Sequence, residues 1–226
     1  MRFYAIINPR KAVVVLPRFV SYISNGTYDI GCTGQTVYVY DKYGAELAKF
    51  KDLIYAYYSA ISPRGDMFVV KSTDGKMAVY SLTTLSLIKK FRYSKVNYAQ
   101  DDGFCFSADG KYFINIERQG DELHSAISVY DTAGFSRVSQ FLLGDIGMLR
   151  NIEQVDGELY VIGFWRNSDL IVTKYFVAKY AEGKISEPVN ITKNEYEYYN
   201  ELLLNKKRGE NVKNHTLATI WGFYST

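Results

Sequence analysis

Side chains able to do chemistry are sparse in these 226 residues. Histidine occurs twice, at His124 and His215, and cysteine twice, at Cys32 and Cys105. That is too few for a zinc site, and a lone histidine more often serves a hydrogen bond than catalysis. Cys32 follows Gly31, and Cys105 sits between Phe104 and Phe106, so both read as small buried strand residues. No Gly-x-Ser-x-Gly elbow occurs, and the glycines are scattered one per turn instead of gathered into a phosphate loop. The densest acidic pair is Asp101-Asp102, which with Asn151 and Glu153 offers oxygen ligands suited to a hard cation. Aspartate at a strand entrance more commonly serves a turn. No catalytic residue, metal site or cofactor is assigned on these grounds.

Recognition chemistry is better represented. Aromatic residues make up 16% of the chain, with 21 Tyr and 13 Phe against 2 Trp. Tyrosine suits positions that are apolar on one side and wet on the other. Tyr57, Tyr58, Tyr98, Arg150 and Trp165 lie near expected strand starts or loops, with Asp101 beside them. Tyr, Trp and Arg dominate binding hot spots, so these six are the candidate contacts for a protein partner. Strands alternate faces, so one of Tyr57 and Tyr58 should point into its sheet's packing layer and the other away. The formal charge of +3 is too small for a phosphate-tracking surface, and no nucleic-acid partner is expected. No apolar run approaches the roughly 20 residues of a membrane span, and no leader-like apolar segment opens the chain. A soluble, cytoplasmic, monomeric protein is expected.

These residues need elements to hold them, and the elements repeat. Ser62 to Phe91 reads as three short strands joined by turns at Ser62-Pro63-Arg64-Gly65, Asp74-Gly75 and a polar third turn. Asp74-Gly75 is the dipeptide preferred in two-residue hairpins, where both positions need positive φ. Tyr40, Tyr80, Tyr130 and Tyr180 each end a strand and lie 40, 50 and 50 residues apart. Asn25-Gly26, Arg64-Gly65, Asp109-Gly110 and Asp156-Gly157 precede them, and Phe50, Phe91 and Phe141 follow the first three. Periods of this length mark propeller blades. The units run over about 18–53, 54–94, 95–145 and 146–192, each of four strands. The third and fourth carry longer middle hairpins, through Gln119-Gly120-Asp121-Glu122 and Arg166-Asn167-Ser168-Asp169, which would fall on one face.

Residues 1–17 read as a hairpin. Asn194 to Arg208 reads as a helix with capping-box spacing between Asn194 and Glu197, whose Tyr196, Tyr199 and Leu203 pack on their own domain. His215 to Tyr224 reads as a final strand. Both ends together would complete a fifth blade and remove exposed sheet edges. The expected fold is all-β: a single small propeller over 1–226 with one C-terminal helix.

Ser62-Pro63-Arg64-Gly65-Asp66-Met67, Ser72-Thr73-Asp74-Gly75-Lys76 and Val79-Tyr80-Ser81 resemble the WD-repeat β-propellers, as do Phe106-Ser107-Ala108-Asp109-Gly110-Lys111-Tyr112 and Val129-Tyr130-Asp131. Tyr40-Asp41 and Tyr130-Asp131 stand where that family has Trp-Asp, and no unit has its Gly-His pair. The resemblance covers residues 18–142 well and 143–192 loosely. It implies a domain that binds proteins or peptides and seldom catalyses. A short, Tyr- and Lys-rich chain without an attached domain further fits a bacterial or phage accessory or immunity-type protein. The alternative is a metal-dependent hydrolase like the lactonase-type propellers, which hold a cation at the channel mouth. Asp101, Asn151 and Glu153 would be its ligands here.

Overall fold

The computed structural model describes residues 5–6, 14–15, 17–94, 103–119, 124–144, 147–155 and 157–207. A two-stranded sheet, β1 (Ala5–Ile6) and β2 (Val14–Val15), pairs the two apolar runs of the N-terminal hairpin. Four antiparallel meanders follow. Blade 1 is β3 (Ser21–Ser24), β4 (Tyr28–Cys32), β5 (Val37–Asp41) and β6 (Glu46–Phe50). Blade 2 is β7 (Ala56–Ile61), β8 (Met67–Ser72), β9 (Lys76–Ser81) and β10 (Ser86–Arg92). Blade 3 is β11 (Phe104–Phe106), β12 (Tyr112–Gln119), β13 (His124–Asp131) and β14 (Arg137–Leu142). Blade 4 is β15 (Gly147–Val155), β16 (Glu158–Arg166), β17 (Val172–Ala181), and an outer strand broken at Pro188 into β18 (Lys184–Ile185) and β19 (Val189–Ile191). The longer middle hairpins of blades 3 and 4 are present as strands of eight to ten residues, against six in blade 2.

Turn chemistry sets the strand ends. Gly65 and Gly110 close the first turns of blades 2 and 3 at φ 68° and 67°, a backbone region costly for residues with a Cβ. The Asp74-Gly75 turn differs from the two-residue hairpin expected. Its loop spans Thr73, Asp74 and Gly75, only Gly75 has positive φ (72°), and the Gly75 N–H donates to the Ser72 carbonyl. This is a type I turn closed by a left-handed glycine. The Ser72 hydroxyl donates to Asp74 Oδ1 at 2.6 Å and favours it over the primed turn.

The Tyr and Phe landmarks mark the seams between blades. Tyr80 of blade 2 stacks on Phe50 of blade 1 at 4.3 Å and on Phe68 at 4.9 Å. Tyr130 of blade 3 meets Phe91 of blade 2 at 5.5 Å. Tyr180 and Phe141 share the apolar cluster between blades 3 and 4. Each such tyrosine faces the preceding blade, and such aromatic pairs are worth about 0.5–1.5 kcal/mol beyond area burial. In blade 1 Phe19 takes the place of a preceding blade's aromatic, 6.3 Å from Tyr40 and flat against Gly31. A bulge follows the tyrosine in blades 1 to 3, leaving Leu47, Ile88 and Val138 unpaired in the ladder and exposed on the rim. Bulges of this kind twist an outer edge away from further pairing.

Helix α1 (Lys193–Lys207) covers the face of blade 4 that looks away from blade 3. Tyr199 and Leu203 are buried there against Val155, Tyr160, Ile162 and Val177, with Tyr196 partly buried beside them. Its capping box lies two residues earlier than expected. The Thr192 N–H donates to Glu195 Oε2 at 2.7 Å, and the Glu195 N–H donates to Thr192 Oγ1 at 3.2 Å. Threonine directly after the last strand residue, Ile191, captures the cap before Asn194 can. The expected strand over His215–Tyr224, and with it the C-terminal share of a closing blade, lies outside the described residues.

Candidate partner-binding face

The inner strands β3, β7, β11 and β15 all run the same way, so each blade exposes two kinds of end. One gathers the strand starts, the links between blades and the β8–β9, β12–β13 and β16–β17 hairpins. The other gathers the first turns around Gly26, Gly65, Gly110 and Gly157. Exposed large apolar side chains outside the strands divide unequally between them: Val20, Ile54, Tyr55, Leu170 and Ile171 stand at the strand-start end, against Tyr43 at the first-turn end, while Leu47, Leu87, Ile88, Val138 and Leu142 lie on the outer strands. Tyr55 and Leu170 also hold positive φ, 53° and 63°, which a residue with a Cβ rarely adopts.

The sequence-derived contacts separate in the structure. Tyr57 and Arg150 occupy equivalent bulges in the inner strands of blades 2 and 4. The ladder passes from Ala56 to Tyr58 and from Leu149 to Asn151, skipping each of them. Tyr57 is half-buried and Arg150 exposed. Tyr58 belongs to the seam between blades 2 and 3, its ring edge-on to Phe104 at 4.9 Å. Trp165 packs on Phe176 at 5.2 Å, directly over Gly147, in the seam between blades 3 and 4. Tyr98 and Asp101 lie outside the described residues. The bulges were not legible beforehand, because a bulge is a property of pairing and not of composition.

The proposed cation ligands do not converge among the described residues. Asn151 is buried, and its Nδ2 donates to Oδ1 of Asn200 on α1 at 3.4 Å. Glu153 lines a cavity at the first-turn end, and its Oε1 accepts the Gln154 N–H at 2.9 Å. Asp101 and Asp102 are outside the described residues, and among those described no three His, Cys, Asp or Glu groups stand together.

A buried polar network not foreseen from the sequence braces the seam between blades 2 and 3. Glu117 is fully buried, and its Oε1 accepts from the Tyr130 hydroxyl at 2.6 Å and from Asn115 Nδ2 at 3.1 Å. Burial pushes the Glu117 carboxyl up, against these hydrogen bonds and the charge of Lys71. Lys71 is also fully buried; its Nζ donates to the Ile116 carbonyl at 2.8 Å and lies 5.0 Å from the Tyr93 ring centre. The long middle hairpin of blade 3 brings Glu117 to this depth.

Comparison with known proteins bears on the fold. No protein-family model matches the chain, and no curated protein matches its sequence. Among solved structures, the WD40 domain of Pan2 from Neurospora crassa superposes with a TM-score of 0.54 at 11% identity, over 76% of this chain. The fold is WD40-like. This chain spans 52% of that propeller's length. No helix among the described residues is long and apolar enough to cross a membrane.

Proposed function

We propose that this propeller is a non-catalytic protein-binding platform that holds its partner at the strand-start end. The observation that carries the reading is the set of exposed apolar side chains in the loops there, Val20, Ile54, Tyr55, Leu170 and Ile171, with the bulged Tyr57 and Arg150 beside them. Apolar anchors rimmed by polar groups are the usual make-up of an interface. The reading is supported by the WD40-like fold, a rigid scaffold whose loops vary freely. The formal charge of +3 favours an acidic partner by electrostatic steering. Within this class, an accessory or immunity-type protein of bacterial or phage origin is the form that fits a small binding scaffold.

The test is affinity purification from cells that carry the gene, followed by mass spectrometry. The wild-type chain is expected to retain one stoichiometric partner. Ile54→Asp and Ile171→Asp, at side chains 69% and 61% exposed, should fold normally and lose it. Tyr43→Asp at the opposite end should keep it. Retention by both isoleucine variants would place the interface elsewhere.

A further inference from the structure

A cavity of about 300 Å³ lies on the axis at the first-turn end, walled by residues of all four inner strands. Ile23, Ile61, Phe104 and Phe106 make it largely apolar, and Ser59 and Gln154 add neutral polar groups. Apart from Glu153, whose carboxylate accepts the Gln154 N–H at 2.9 Å, every residue that lines it is uncharged. A charged ligand would give up its hydration there for few ionic partners, whereas a neutral one would not. The volume falls at the lower end of ligand sites. A cavity of roughly 150 Å³ accepts benzene, so this one has room for two fused rings.

Strand register decides which backbone groups face this space. The first turns of blades 1 to 3 close with the Asn25, Ser62 and Ser107 N–H groups donating to the Tyr28, Met67 and Tyr112 carbonyls at 3.2, 2.9 and 2.9 Å. Ladder hydrogen bonds alternate along an antiparallel pair. The residue before each of these donors, Ser24, Ile61 or Phe106, therefore turns its N–H and C=O away from the blade's second strand and towards the axis. All three residues line the cavity. Apolar side chains and the edges of three backbones thus meet in one small space.

We infer that the axial cavity binds a small neutral heteroaromatic molecule of two fused rings, its faces against the apolar side chains and its polar edge on the axis-facing backbone groups. Such a ring carries donors and acceptors in its plane, pointing outward in several directions, as groups on three surrounding strands require. A purely aliphatic ligand would leave those backbone groups unmet, and a sugar would spend its hydroxyls on Ile and Phe walls. Apolar and aromatic walls with a few backbone or hydroxyl groups are the usual make-up of a small-molecule site. The cavity lies opposite the proposed partner face and is independent of it.

Titration of the methyl-labelled chain with indole, adenine and the anionic control naphthalene-2-sulfonate, followed by NMR, tests the inference. At least one of the two neutral probes is expected to saturate below about 1 mM, with the control binding more weakly. The Ile23 and Ile61 methyl signals should shift, and those of Ile54 and Ile171 at the other end should stay. Ala108→Trp, at an exposed turn residue on the cavity wall, sets an indole of its own at the mouth and should weaken binding about tenfold or more. Failure of both neutral probes to saturate, equal binding of the sulfonate, or shifts that spare Ile23 and Ile61 would overturn the inference. So would wild-type affinity in a folded Ala108→Trp.

Discussion

Asp74 shows how a single turn residue fixes a pH response. Burial pushes its carboxyl up, but hydrogen bonds from Lys76 and Ser72 and the charges of Lys76 and Arg92 outweigh this and hold it low. The folded state then binds the proton less readily than the unfolded chain. Its stabilisation is complete above the unfolded value near about 3.9 and is lost as pH falls through the folded value. Asp74→Asn should therefore cost about 1 kcal/mol at pH 7 and progressively less below pH 4. Thermal unfolding at pH 7 and pH 3 checks it; an equal gap at both would contradict the assignment. Cys32 gives a second residue-scale test. Burial raises its thiol to about 12, against a hydrogen bond with Ser59. Thiol reagents at pH 8 should leave Cys32 unmodified until the chain is denatured, which peptide mapping would show. The two kinds of sequence-derived contact should also part: Trp165→Ala should lower the melting temperature, because the indole fills a seam, whereas Arg150→Ala should not.

At the scale of elements, the packing of strands within a blade is set where a backbone comes close to its neighbours. Gly163 in β16 is such a point: a Cβ there would collide with the Met148 carbonyl and stand 2.6 Å from the Phe176 ring. Backbone cannot give way as a side-chain tip can, so Gly163→Ala should destabilise by about 1–3 kcal/mol, read by denaturant unfolding. A neutral outcome would mean that β15 and β16 are less tightly paired than described. The repeat itself was legible because its marks are local. A turn glycine is dictated by φ, and a tyrosine at the seam by the need to stack on the preceding blade. What could not be read is what depends on pairing. The inner-strand bulges decide that Tyr57 leaves the ladder while Tyr58 enters the seam. Likewise, nothing in the composition of Tyr112–Gln119 marks Glu117 as buried, since that follows from the hairpin's length and the blade it faces. The helix was legible as a helix. Its first turn shifted because Thr192 competes with Asn194 for the same backbone donors.

For the molecule as a whole, four sheets arranged around an axis give two different ends: one of strand starts, inner-strand bulges and apolar loops, the other of first turns. Seams of stacked aromatics and the Lys71–Glu117 network keep the ends in fixed relation, so a partner meets a surface ordered before it arrives. Such preorganisation lowers the entropic cost of association. The most direct test of the partner-binding reading is hydrogen–deuterium exchange of the chain alone and with the partner it retains. New protection is expected in residues 51–57 and 167–172 and around Arg150, with the turns at Gly65 and Gly110 unchanged. Protection confined to those turns or to the outer strands would contradict the account.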